Sequence, residues 1–350
     1  MTAESRPLNI ASNRFRYRAM IGTGGIGAGM FFALRGNHTL GREESRLGRI
    51  LDRRDYCKLH IIAHYVQALL GPPFVTLPIG KVGEDEWGKR LCEEMAEVGM
   101  DLCCVARVPG EQTLFSFCFV YPDGDGGNIT TDDSACAKVD PAYIQLAEPE
   151  FVRFAGQGVA LAAPEVPLPA REALLRLATR HGLLRVASFN SEEMPVALEA
   201  GYLQMVDLLA INIDEAKMAA GITAENLPAA SVVETAVERL RAIQPRMMIS
   251  ITAGKQGSWG WDGGALIHVP PCAVNPVSSA GAGDAHLAGI IAGLSAGLPM
   301  AEAQQLGGLV GGLSVTSPHT INKEIDRDTL RAFTKTAGVP LADSVKALLT

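Results

Sequence analysis

The stretch SSAGAGDAH, Ser278–His286, leads into an apolar, helix-like run, DAHLAGIIAGLSAG. Small residues and glycines at 280–283 leave the backbone N–H groups at the start of a helix bare, so they can point at an anion such as phosphate. Asp284 would stand in the first turn beside a bound phosphoryl group. A carboxylate repels phosphate unless it has another task, and accepting the proton of an attacking hydroxyl is that task. Alone, the same residues read better as an ordinary first-turn acid above glycines that let helices pack closely, so the surroundings decide.

Two compatible elements precede it. In INIDEA, Asn212 and Glu215 stand three apart at the end of a predicted strand, VDLLAIN (206–212), where ligands collect in open α/β sheets; such a pair suits a hydrated magnesium ion. TAGKQG, Thr252–Gly257, ends a further predicted strand, MMISIT (247–252), and offers a hydroxyl and bare backbone to phosphate oxygens. The rest of the chain keeps a βα rhythm: PFVTLP (73–78) before EWGKRLCEEMAEVG, GVALAA (158–163) before REALLRLATRHG with a C-capping Gly182, and LLRVAS (183–188). Ser231 and Glu234 read as a capping box opening the helix before MMISIT. The fold class is α/β, three-layer, with a mostly parallel sheet covered by helices on both faces. TLFSFCFVY (113–121) breaks the rhythm, running into the turn PDGDGG and polar NITTDDS, and reads as a hairpin lid. Thr130, Asp132 and Asp133 there could meet a substrate, or form an exposed polar turn.

A second glycine cluster, IGTGGIGAG (21–29), competes for the phosphate role. Between a short apolar run and an apolar stretch that reads as helical, it resembles a dinucleotide fingerprint. That fold wants an acid at the end of a second strand about 20 residues on; the acids available, Glu43 and Glu44, sit in a charged run that reads as helical. A dinucleotide-dependent oxidoreductase using Gly22–Gly29 therefore stays as an alternative.

Composition narrows the partners. With 350 residues, 47% hydrophobic and 20% charged, the chain has material for a large core, and its net charge of -7 argues against nucleic acid and anionic membrane surfaces as partners. Seven cysteines without a C-x-x-C pair fit reduced thiols. No apolar signal core opens the chain, and 287–300 is too short and glycine-rich to span a bilayer, so a cytoplasmic protein is expected. The partners expected are a small-molecule substrate and a nucleotide, with a homodimer left open.

The order N-x-x-E, T-x-G-x-x-G, G-A-G-D, carried by Asn212/Glu215, Thr252/Gly254/Gly257 and Gly281/Ala282/Gly283/Asp284, resembles the ribokinase-like (PfkB) family of carbohydrate kinases. The likeness extends to Gly80, Val82, Gly83, Asp85 and Gly88 and to the VYPDGDGG hairpin, and covers roughly residues 18–335. It implies a kinase domain at 18–335 between an N-terminal tail (1–17) and a C-terminal tail or helix (336–350), with a lid hairpin about 107–134. It implies ATP-dependent phosphorylation of an alcohol, with Asp284 as base, the 281–283 amides as anion hole, Asn212 and Glu215 near magnesium, Glu215 acting through water, and residues from Val310 to Asn322 lining the adenine pocket. A catalytically weak, nucleotide-binding regulatory relative is the second alternative.

The chain departs from the family in places. Ser278 replaces the aspartate tied to a monovalent cation, which argues against potassium activation; His286 replaces an aromatic; the D-x-N strand end appears as Ser188-Phe-Asn190. The early aspartate and the GG-x-x-x-N helix that grip the sugar are absent, leaving a divergent polar segment, 35–64. It holds seven Arg or Lys against four acids, with three of the seven histidines, which suits an anionic substrate such as a sugar phosphate or sugar acid. REESRLGRILDRRD within it also reads as a solvated helix laced with i,i+4 ion pairs. The candidate substrate contacts are Asn37, His38, Arg42, Arg46, Tyr56, Lys58 and His60, with Asn190 at a strand end and Gly24 and Gly25, whose bare backbone would border the acceptor site.

Overall fold

The computed structural model describes residues 6–123, 126–224 and 226–350. The expected hairpin turn at Gly124 and Asp125 and the first five residues of the expected N-terminal tail lie outside the described residues. In chain order the strands are β1 (Ala19–Thr23), β2 (Gly27–Leu34), β3 (Gly48–Tyr56), β4 (Val75–Gly83), β5 (Val105–Val108), β6 (Leu114–Val120), β7 (Gly126–Thr130), β8 (Gly158–Ala162), β9 (Leu184–Ala187), β10 (Leu208–Asn212), β11 (Met248–Thr252), β12 (Ser258–Trp261) and β13 (Leu266–Val269).

Nine of them form one sheet in the order β13-β12-β11-β10-β9-β8-β1-β4-β5. It is parallel from β5 to β11, with β12 and β13 antiparallel at one edge. β1 and β8 are buried throughout, as strands covered on both faces must be. Two apolar cores lie on opposite faces, one built on the helices Lys58–Leu70, Ala282–Ser295 and Met300–Ser314, the other on Leu168–His181 and Ala229–Ile243. The result is the three-layer α/β architecture expected. The ends of the chain pack on it: Leu8 is buried with its amide bonded to Leu69, and the short helix Asp343–Leu348 buries Val345 and Leu348.

A separate sheet of four strands, β3-β2-β6-β7, stands over the carboxyl ends of the main sheet. Its β6–β7 pair is the expected hairpin, while its other two strands come from the N-terminal part of the chain. The structure corrects three sequence readings, two of them in this sheet. The run after IGTGGIGAG is not a helix but β2, paired in parallel with β6; with no strand-turn-helix unit, the dinucleotide alternative loses its structural basis. REESRLGRILDRRD is not a helix with i,i+4 pairs: from Gly48 onward it is β3, an edge strand antiparallel to β2, where strand pairing overrides the helical charge spacing. Ser231 and Glu234 form no capping box, because Pro228, with φ fixed near -56°, starts the helix earlier and leaves Ser231 inside it.

The small sheet is fastened at its base by the G-x-V-G-x-D segment. Asp85 caps the helix Glu86–Glu97 by accepting from the Gly88 amide, and also accepts from the Thr113 amide and hydroxyl at 2.7 and 2.6 Å, just before β6 begins. The Thr113 hydroxyl in turn accepts from the Gly83 amide.

Candidate active site

The helix Ala282–Ser295 begins at Gly281, which has φ 75° and no side-chain cap; the Ala282 amide donates to the Ser279 carbonyl at 3.2 Å, and the Gly283 amide has no such backbone partner outside the helix among the described residues. A Cβ at Gly281 would lie 2.7 Å from the Thr320 carbonyl, so both the backbone angle and the space require glycine. Asp284 lies in the first turn. Burial raises its carboxyl above the usual aspartate range, and the Lys58 ammonium pulls it back down. No hydrogen bond to its carboxylate occurs among the described residues.

One cleft is lined by this helix start, and a second is lined by Lys58, whose ammonium interacts with Asp284. The first, of about 890 Å³, is lined by Thr252, Gly254, Gly257, Ser278, Ala282, Gly283 and His286, by the stretch from Pro270 to Val274 with Pro276 and Val277, and by Gly308, Gly311, Gly312 and Val315. Thr252 and Gly283 face each other across it, a Cβ on Gly283 lying 4.0 Å from the Thr252 hydroxyl. His286 bonds Ser258 at 3.1 Å, and burial drives its imidazole down to about 4, so it stays neutral. Ser278, where the family carries an aspartate, accepts from the Ala280 amide. Asn322 does not line this cleft; it is buried, its amide donating to Tyr65 Oη at 2.7 Å. Phe31, Leu51 and Val120 of the small sheet reach the cleft from above, which the sequence did not suggest.

The second cleft, of about 670 Å³, is within the range of small-molecule sites. It is lined by Lys58, by Asn128, Thr130, Thr131, Asp132 and Ser134 of the small sheet and the loop after it, and by Glu165, Asn190 to Glu193 and Glu215 at the ends of the main strands. Lys58 opens the helix Lys58–Leu70; the Asp284 charge, then those of Glu165 and Glu215, holds its ammonium above the usual lysine range against the cost of burial. Burial lifts the Glu165 and Glu215 carboxyls to about 7 each, with Lys58 opposing.

Asn212 and Glu215 form a reciprocal capping box: Asn212 Oδ1 accepts from the Asp214 and Glu215 amides, and Glu215 Oε2 accepts from the Asn212 amide at 2.8 Å. Asn212 is therefore committed to the helix, whereas Glu215 still faces the cleft. Glu215 fits a hydrated magnesium ion in one respect: it is a hard oxygen donor facing the cleft. No cluster of three or more His, Cys, Asp or Glu that could hold a metal exists among the described residues.

Glu165 is the residue that sequence reading missed. It follows β8, central in the sheet, with φ 77°, and one of its oxygens accepts from the Lys58 amide at 3.0 Å. The signal was present in APEVP: an acid just past the end of a parallel strand, where ligands gather. Gly24 and Gly25 are buried and line neither cleft; a Cβ on Gly25 would sit 2.1 Å from Glu165 Oε2, so Gly25 makes room for that carboxylate. Of the divergent segment, only Lys58 lines the second cleft. Asn37 accepts from the Asp123 amide, and His38 bonds Glu44 at 3.1 Å. Arg46 pairs with Glu44 at 2.6 Å, and Arg42 is exposed. The Gly41 amide, then Arg46, holds the Glu44 carboxyl down at about 2. His60 is buried against Tyr56, its imidazole driven to about 3 by burial; Tyr56 bonds Glu94 at 2.5 Å and lines neither cleft.

The helix start thus lines the larger cleft, and Asp284 in its first turn interacts with Lys58 of the carboxylate-rich smaller one. The pfkB family carbohydrate kinase profile matches residues 63–327. The chain belongs to the pfkB family of carbohydrate kinases. It is 30% identical over 118 residues to the uncharacterised sugar kinase YegV of Escherichia coli, a match spanning 34% of this chain and 35% of that protein. The fold is that of ribokinase from Giardia lamblia (TM-score 0.72, 16% identity, 91% of this chain and 99% of that one). It is also that of the Burkholderia thailandensis nucleoside kinase solved with inosine (TM-score 0.70, 15% identity, 91% and 98% covered). No helix among the described residues is long and apolar enough to cross a membrane.

Proposed function

We propose that this chain transfers the γ-phosphoryl group of ATP to a hydroxyl of a sugar-sized alcohol, with Asp284 as general base. The observation that carries the reading is the position of Asp284, in the first turn of an uncapped helix whose start lines the larger cleft and beside the lysine of the smaller one. The larger cleft suits the nucleotide, its proline- and glycine-rich wall taking the base and the loop at Thr252–Gly257 the phosphates. The smaller cleft suits the acceptor.

In the transfer, Asp284 takes the proton of the acceptor hydroxyl as its oxygen bonds the γ-phosphorus and the bond to the ADP oxygen breaks. A raised carboxyl is a better base, and Lys58 keeps it ionised. Of the 281–283 amides expected to form the anion hole, those of Gly281 and Gly283 would face the charge on the transferred group, while the Ala282 amide donates to the Ser279 carbonyl. Glu215, with Asn212 holding it in place, would bind a water of magnesium, which when present neutralises phosphate charge. Five carboxylates and one lysine line the acceptor cleft, so its charge favours a neutral or cationic acceptor over the anionic one that the composition of 35–64 suggested.

ADP release measured over a broad panel of alcohols tests the reading. Asp284→Asn is expected to lose phosphoryl transfer about 100- to 10,000-fold, with ATP affinity retained. Full turnover in that variant would sink the mechanism.

A further inference from the structure

The charges of the acceptor cleft do not cancel. Asp132, Glu165, Glu192, Glu193 and Glu215 line it against the single ammonium of Lys58. Some are already answered. Glu193 meets the fully buried Arg171 at 2.8 Å, Lys58 serves Glu165 and Asp284, and Glu215 accepts the Asn212 amide. Asp132 and Glu192 are left, without an ion pair or side-chain hydrogen bond among the described residues. They belong to different parts of the wall: Asp132 follows β7 of the small sheet, and Glu192 lies in the turn after β9, the middle strand of the main sheet.

Ser134, in the same cleft, is an independent sign of a missing partner. The other hydroxyls of that wall are satisfied, Thr130 with Ser116 at 2.8 Å and Thr131 by the Phe115 amide at 3.1 Å. Ser134 is 1% exposed and its hydroxyl has no partner. A buried hydroxyl left unpaired costs about 1–3 kcal/mol, and a ligand seated in the cleft removes that cost.

We propose that the acceptor is an alcohol bearing a protonated amine, an amino sugar or similar amino alcohol, whose ammonium sits among Asp132, Glu192 and the Ser134 hydroxyl. An ammonium has three donors and no acceptor, and this part of the cleft offers two carboxylates and one hydroxyl oxygen. A neutral hydroxyl would satisfy Ser134 and draw no charge attraction from the two exposed carboxylates; a carboxylate or phosphate would be repelled. The proposal rests on the reading of this cleft as the acceptor site.

The test compares kcat/KM for ADP release, at pH 7 and saturating ATP, across matched sets: an aldose, its amino-deoxy counterpart, the N-acetylated amine and the corresponding sugar acid. The amine is expected to exceed its parent and its N-acetyl form at least tenfold in the best set, with the acid slowest. The Asp132→Asn/Glu192→Gln double variant should bring the ratio of amine to parent toward one, and Ser134→Ala should lower it. Both carboxylates are exposed, so folding should survive, and a thermal melt checks this. Parents that match or exceed their amines in every set, or a preference that survives the double variant, overturn the amine proposal and leave the kinase reading standing. An absence of ADP formation with every alcohol overturns both.

Discussion

Replacing Glu165 by Gln should make the ligand-free protein more stable and the enzyme worse. In the folded chain burial lifts the Glu165 carboxyl from 4.5 to about 7. A raised carboxyl stabilises fully below its unfolded value, and that contribution is lost as pH climbs through the folded value. Relative to the protonated group, ionised Glu165 costs about 3 kcal/mol at pH 8 and about 1 kcal/mol at pH 5.5. Gln keeps an oxygen for the Lys58 amide but carries no charge, so the variant escapes this cost. With an unfolding entropy of about 2.1 cal/mol/K per residue over the chain, Tm should rise by about 4 °C at pH 8 and by about 2 °C at pH 5.5. The assay is a pair of thermal melts without nucleotide or acceptor, at the two pH values, on wild type and variant. In parallel, kcat/KM for the acceptor should fall at least about 10-fold, the trade expected where a site holds a group its fold does not favour. A variant less stable than wild type by the same amount at both pH values would refute the reasoning, because it would mean that Glu165 packs as an ordinary satisfied side chain.

Gly25→Ala places a methyl group 2.1 Å from Glu165 Oε2, so it should raise the acceptor KM at least about 10-fold at little change in ATP affinity, at a stability cost of about 1–3 kcal/mol; steady-state kinetics in each substrate check it. Thr113→Val removes the hydroxyl that links Asp85 to the Gly83 amide beneath the small sheet. Leaving that buried amide unpaired should cost about 2 kcal/mol, or about 3 °C in Tm, and unchanged melting would refute the fastening role.

The main sheet was legible because buried parallel strands need continuous short apolar runs, and GVALAA, VDLLAIN and MMISIT have little other use. The small sheet was half legible. TLFSFCFVY has the β-branched and aromatic content of a strand, whereas GAGMFFAL and GRILDRRDY carry apolar and charged spacings that fit a helix as well, and only pairing with β6 and with each other makes them strands. Local sequence contains no record of that pairing, since β2 meets β6 across more than 80 residues of chain.

The same division runs through the site. The sequence by itself determined the elements whose chemistry is local: a glycine start to a helix with Asp284 in its first turn, the Asn212 to Glu215 spacing, and the Thr252 loop. Each is a backbone conformation and a side chain a few residues apart. Tertiary structure alone decided which charges line the smaller cleft. It spent Arg46 and His38 on Glu44 within their own loop, buried His60 inside, and brought Lys58, Glu165, Asp132 and Glu192 together from four separate segments. A cleft's net charge is a sum over residues that meet only in space, and for this chain the sum came out opposite in sign to the composition of the segment first expected to supply it.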